Sequence, residues 1–176
     1  MTEEIKINQT VLRVVKGDIT DTDVEAFVYY ATSDLQLGSG FGNAITVRGG
    51  QSIQKELEQF GTIDVGESVI TEAGKLKSKY IVHAVGPKFQ DENLEAKLKT
   101  TIVNALKRAE EKGIKQLAFP PMGAGFYGVP LDKSADITLG TIKEFLSGDA
   151  KLEEVMVVAN DAREYKPFEA RLQTLS

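Results

Sequence analysis

"IKQLAFPPMGAGFYGVPLDKSADITLGTIKEFL", residues 114–146, is the stretch that decides the fold. Its opening is a short apolar run that stops at Pro120-Pro121, because neither proline can donate to a sheet ladder. Its end, residues 131–146, has helical periodicity, with Pro130 placed near the first turn. Between them lie three glycines, Gly123, Gly125 and Gly128, and two adjacent rings, Phe126 and Tyr127. Strand, glycine-rich loop and helix in succession form the repeating unit of an open α/β sheet. Ligands of such sheets bind beyond the carboxyl ends of the strands.

The flanking sequence repeats the unit. Residues 11–19 and 24–32 read as strands, and "VEAFVYYAT" (24–32) is apolar almost throughout, as a strand buried on both faces should be. Residues 79–87 and 153–161 read as further strands. Residues 93–113 form the clearest helix, with Leu94, Leu98, Ile102, Leu106 and Ala109 recurring every three or four positions. Residues 51–60 are expected to be helical, with Ile53, Leu57 and Phe60 on one face and Gly61 as C-cap. Residues 43–50 carry a weaker helical pattern, and 163–175 a last helix that Pro167 bends or starts. Residues 67–73 and 79–85 flank a short Gly-Lys-rich turn and read as an antiparallel hairpin. The prediction is one α/β domain spanning 1–176, layered around a mixed, largely parallel sheet. Alternation puts Tyr29 and Tyr30 on opposite faces of their strand without saying which is which.

Composition removes several functions. The chain has no cysteine, so disulfides, thiolate catalysis and Cys-ligated zinc are excluded, which fits a reducing cytoplasm. A single histidine, His83, excludes a two-His metal site and reads as a core residue within its apolar strand. The formal net charge of −5 argues against broad nucleic-acid binding, and no apolar run is long enough to span a membrane. The acidic, polar start "MTEEIKINQT" lacks the pattern of a signal peptide. "KLKSK" (75–79) reads as a solvated turn or a local contact patch.

An acidic protein that binds an anion needs a local pocket of backbone N–H groups. Two loops suit that: "GSGFG" (38–42: Gly38, Ser39, Gly40, Phe41, Gly42) and "GAGFYG" (123–128: Gly123, Ala124, Gly125, Phe126, Tyr127, Gly128). Each follows a strand and precedes a helix, so both could grip a diphosphate. Each could equally be a plain strand-to-helix turn. Neither matches GxxxxGK[ST], which argues against a P-loop. Phe126 and Tyr127 either plug the core under the loop or pack on a ribose or base. Asp18 either accepts from an exocyclic amine such as adenine N6 or caps the "TDTD" turn after it.

"GDIT" (17–20), "VGESVITEAGKLKSKYIVHAVGP" (65–87) and "FPPMGAGFYGVP" (119–130), in this order, resemble the macrodomains. The resemblance runs from about residue 12 to about residue 161. It implies a three-layer α/β/α sandwich with a six- or seven-stranded mixed sheet, and a ligand that is ADP-ribose or an ADP-ribosylated protein. By position, Asp18 resembles the aspartate that holds the adenine amine, with Ile19 backbone beside it. Residues 38–41 and 123–127 resemble the two phosphate loops, with Phe126 and Tyr127 near the diphosphate and distal ribose. No resident cofactor or metal is implied.

The departures bear on activity. The family's Asn-Ala-Ala-Asn stretch is "YYAT" (29–32), so Thr32 replaces the second asparagine. The aspartate of the hydrolase branch is Gly42, and "FGNAI" (41–45) resembles the macro-histone branch, which binds without efficient hydrolysis. Asn160 stands where an aromatic often stacks on adenine, and Gly123-Ala124 where Ser-Thr is common. The expectation is therefore a binding module with no catalytic residue assigned. The alternatives are an ADP-ribosyl hydrolase or O-acetyl-ADP-ribose deacetylase using a substrate-activated water, and a degenerate pocket serving another ligand or a protein partner.

Overall fold

The computed structural model describes residues 2–38 and 40–175. The strands are β1 (Thr2–Ile7), β2 (Thr10–Lys16), β3 (Ala26–Ala31), β4 (Ser68–Glu72), β5 (Tyr80–Val85), β6 (Gln116–Phe119) and β7 (Glu154–Ala159). The helices are α1 (Phe41–Gly49), α2 (Ser52–Glu58), α3 (Leu94–Glu111), α4 (Leu131–Leu146) and α5 (Ala162–Leu175). Among the described residues the strands form one seven-stranded sheet in the order β1-β2-β7-β6-β3-β5-β4. β2, β7, β6, β3 and β5 run parallel, and the edges β1 and β4 are antiparallel to their neighbours. The expected hairpin is the β4–β5 pair.

Strand alternation builds two cores. On β3, Ala26, Val28 and Tyr30 join a cluster with α3, α4 and α5, through residues such as Leu98, Leu139 and Phe168. Phe27 and Ala31 join a second cluster with Ile45 of α1 and Ile53 and Leu57 of α2. The molecule is thus the expected α/β/α sandwich, and the side-chain period of two assigns Tyr30 to the α3–α5 face and Tyr29 to the α1–α2 face.

Two local readings are corrected, and one open alternative is decided. β1 falls in the stretch read only as acidic and polar. Ile5 and Ile7, two residues apart, pack on the core, while Glu4 pairs with Arg13 across the ladder at 3.0 Å. A charged edge strand guards the sheet against further pairing. Phe60, expected on the buried face of 51–60, lies past the end of α2 and is exposed. Pro167 sits inside α5, which begins five residues earlier at Ala162. Among the described residues, no helix is long and apolar enough to cross a membrane.

Candidate functional site

β3 and β6 are neighbours in the sheet, so the loops that leave their carboxyl ends lie side by side. Between them is a cavity of about 610 Å³, a size suited to a nucleotide. Ile19, Thr32, Gly38, Gly40 and Phe41 line it from the first half of the chain. Gly123, Ala124, Gly125, Phe126 and Tyr127 line it from the second, and Asn160 from the end of β7. Ser39 lies outside the described residues. Asp18 and Gly42 belong to the neighbourhood but not to the wall.

The second loop makes a single tight turn over Gly125–Tyr127. Gly123 begins it at φ +79°, and a Cβ there would stand 2.7 Å from Val129 Cγ2. Backbone conformation and lack of space both require glycine at that position. The Val129 N–H donates to the Gly123 carbonyl at 3.0 Å and closes the loop. The N–H groups of Gly125 and Phe126, which open the turn, find no acceptor among the described residues. Its two rings divide the roles that the sequence left open. Tyr127 packs on Tyr30, ring centroids 4.4 Å apart, and its hydroxyl donates to the Tyr30 carbonyl at 3.3 Å. Phe126 is 85% exposed at the mouth, edge-on to Tyr127.

The first loop leads into α1, which has no side-chain cap among the described residues. The N–H groups of Phe41 and Gly42 have no acceptor there either, so this helix start attracts anions. Gly42 is buried. A Cβ on it would lie 1.6 Å from the Leu37 carbonyl oxygen and 2.7 Å from the Tyr29 hydroxyl. Thr32, which replaces the expected asparagine, donates its hydroxyl to Asp34 Oδ1 at 2.6 Å, and the Gln36 N–H donates to the same oxygen. These bonds hold the Asp34 carboxyl below its ordinary range, and Asp34 lines the cavity.

Tyrosines stiffen the floor. The Tyr30 hydroxyl donates to the Pro87 carbonyl, and Gly86 leaves room for its ring, since a Cβ there would lie 2.3 Å from it. Burial pushes the Tyr29 phenol up to about 12, with Tyr127 and Asp34 adding to the effect, so it stays protonated as a donor. His83 is fully buried behind Tyr29, ring centroids 6.0 Å apart, with Nε2 2.9 Å from Thr71 Oγ1. Burial lowers its pKa to about 3, which makes it a neutral core residue.

Asp18 follows β2. Its Oδ1 accepts from the Thr20 N–H at 2.9 Å and the Thr20 hydroxyl at 2.7 Å, which is the capping geometry weighed from sequence. Burial raises its pKa, but hydrogen bonds from Thr20 and Arg48 outweigh that and leave it lowered. The flanking Gly17 and Ile19 line the cavity, together with Val158 and Glu164 across from them.

A family model for the Macro domain matches residues 28–138. The chain belongs to the macrodomain family. A macro domain-containing protein of Caldanaerobacter subterraneus subsp. tengcongensis is 36% identical over 170 residues, covering 93% of this chain and 97% of its own. The Oceanobacillus iheyensis macrodomain with ADP superposes with a TM-score of 0.94 at 29% identity, covering 99% of this chain and 96% of that one. The Trypanosoma brucei macrodomain in complex with ADP-ribose gives 0.84 at 27% identity, covering 90% of this chain and 68% of that one.

Several wall residues of this macrodomain had no signal that sequence reasoning used. Asp34 and Gln36 sit in a loop read for its glycines alone. Tyr29 and Tyr30 both reach the cavity from opposite faces of β3, because at a strand end either face opens onto the loops.

Proposed function

We propose that this macrodomain binds ADP-ribose or a related ADP-ribosyl nucleotide in the cavity between the two loops, without efficient hydrolysis. The observation that carries the reading is the unpaired N–H of Phe41 and those of Gly125 and Phe126, on either side of one nucleotide-sized cavity. Backbone donors of this kind hold a diphosphate without lysines, which suits an acidic chain. Asp18 would take the adenine amine, with Ile19 beside it. Asn160 would border the base, and Thr32 and Tyr127 the distal ribose. The structures of relatives with ADP and with ADP-ribose support this reading.

Binding is favoured over hydrolysis because of Gly42. The clash with the Leu37 carbonyl leaves no room for any side chain at the position where the hydrolase branch carries its aspartate. Calorimetric titration tests the proposal: ADP-ribose should bind in the micromolar range or tighter, ADP more weakly and AMP more weakly still. No measurable heat with ADP-ribose would end it.

A hydrolase reading has one observation in its favour. Asp34 brings a carboxylate to the cavity from a different loop position, pinned by Thr32. ADP-ribose or acetate released over long incubation, and abolished by Asp34→Asn, would move the assignment to that reading.

A further inference from the structure

The cavity that offers backbone donors to an anion has acidic walls. Asp34 and Glu164 line it, and among the described residues no lysine, arginine or histidine does. Glu164 is already engaged: its Oε1 accepts from the Asn160 N–H at 2.7 Å, and Oε2 lies 3.9 Å from Arg163. Asp34 both lines the cavity and is exposed, so it stands at the rim. The bonds from Thr32 and Gln36 fall on its Oδ1, and Oδ2 keeps accepting capacity.

The loop is built to hold this carboxylate in place. The Leu35 N–H donates to the Thr32 carbonyl at 2.9 Å and closes a tight turn with Asp34 at its third position. Leu35 is buried at φ +57°, a region that a leucine rarely enters. From α2, Gln54 clamps the same loop twice. Its Oε1 accepts from the Leu37 N–H at 2.9 Å, and its Nε2 donates to the Leu35 carbonyl at 3.2 Å. A strained and clamped turn thus fixes a carboxylate at the mouth of a site whose phosphate donors are uncharged.

We propose that Asp34 is a specificity-determining residue: it selects ADP-ribosyl groups carried on a cation, such as the guanidinium of a modified arginine, and rejects those that end in a phosphate. The proposal deepens the reading that places the distal ribose at Thr32, and rests on it. Thr32 is bonded to Asp34, so what the ribose carries leaves the cavity beside this carboxylate. A guanidinium there presents a fork of donors to Oδ2. A terminal phosphate brings negative charge against negative charge, and the wall has no cation to offset it. A free ribose stands between the two, because its hydroxyls donate to the carboxylate without a charge of their own.

The test is titration of the full chain with ADP-ribose, ADP-ribosyl-arginine and ADP-ribose 1″-phosphate. The readout is the affinity ratio of the arginine conjugate to the phosphate. Wild type should favour the conjugate by about thirtyfold at low salt, with ADP-ribose between them. Asp34→Asn keeps an oxygen for Thr32 and Gln36 but loses the charge, and its ratio should fall to about threefold or less. Asp34→Glu returns the charge and should recover part of the ratio, which a merely structural role would not produce. High salt should shrink the wild-type ratio as well. A wild-type ratio within about threefold overturns the proposal, as does an Asp34→Asn variant that keeps the wild-type ratio. ADP-ribose separates this failure from that of the underlying reading. If wild type binds ADP-ribose and the ratio is flat, the site stands and only the role given to Asp34 falls. If wild type binds none of the three, the reading falls with the proposal. Asp34 is exposed, so both variants should melt close to wild type.

Discussion

The loops after β3 and β6 share a composition and differ in how they are held. The first is closed by steric exclusion. Gly42 is walled in by the Leu37 carbonyl and the Tyr29 hydroxyl, and Thr32 is turned away to Asp34. The second is held by a turn and a ring: Gly123 and Val129 close the backbone, Tyr127 anchors it on Tyr30, and Phe126 is left in solvent. Glycine thus serves two ends in one site. In the first loop it admits a neighbouring backbone, and in the second a backbone angle and a valine methyl. A first loop with no room for a side chain at Gly42 suits a cradle, and a second loop with a free ring suits a clasp.

The largest break in this contrast should come from Gly42→Asp. An overlap with a backbone carbonyl cannot be relieved by a rotamer change, so the loop must move. Destabilisation of about 3 kcal/mol is expected, with loss of ADP-ribose binding and no gain of hydrolysis. Thermal melting, calorimetry and an ADP-ribose release assay check it; a stable variant that hydrolyses would overturn the steric argument. Acid should come next, because the first loop rests on Tyr29 and Tyr29 on His83. His83 stays neutral in the fold down to about pH 3 but binds a proton near its ordinary pKa when unfolded. The unfolded state then holds more protons, so stability falls with pH below about 6.5, at up to about 1.4 kcal/mol per unit. Urea unfolding at pH 7 and pH 5 measures it, and His83→Gln should flatten the slope. Gly123→Ala strains the second loop instead. Positive φ and the Val129 contact together should cost about 1–2 kcal/mol, with weakened binding, in the same melting and titration measurements.

The layers, the parallel sheet and both loops were legible because each rests on local signals: apolar runs, helical spacing and glycine clusters between them. β1 was missed because two isoleucines amid charges make a weak period, and its pairing with β2 is what orders it. At the site, sequence gave the loops but not their interior. That Gly42 has no room depends on where Leu37 turns back, and nothing at position 42 announces it. The Arg48–Asp18 bridge spans thirty residues and exists only because α1 ends beside β2. The roles of adjacent Phe126 and Tyr127 were inseparable on paper, because a turn of three residues decides which ring points home.

That separation gives the smallest and sharpest test. Phe126 buries almost nothing, so Phe126→Ala should leave stability within about 0.5 kcal/mol of wild type. A ring that closes over a bound ribose should contribute about 0.5–1.5 kcal/mol, or about 2–10-fold in affinity. Tyr127→Ala should do the opposite, removing the contact with Tyr30 and lowering the melting temperature before any ligand is added. If Phe126→Ala binds ADP-ribose as wild type does, the exposed ring is not a clasp, and ligand retention rests on the backbone donors alone. If Tyr127→Ala melts as wild type does, the anchor lies in the Gly123–Val129 closure, and the second loop is held by backbone just as the first is.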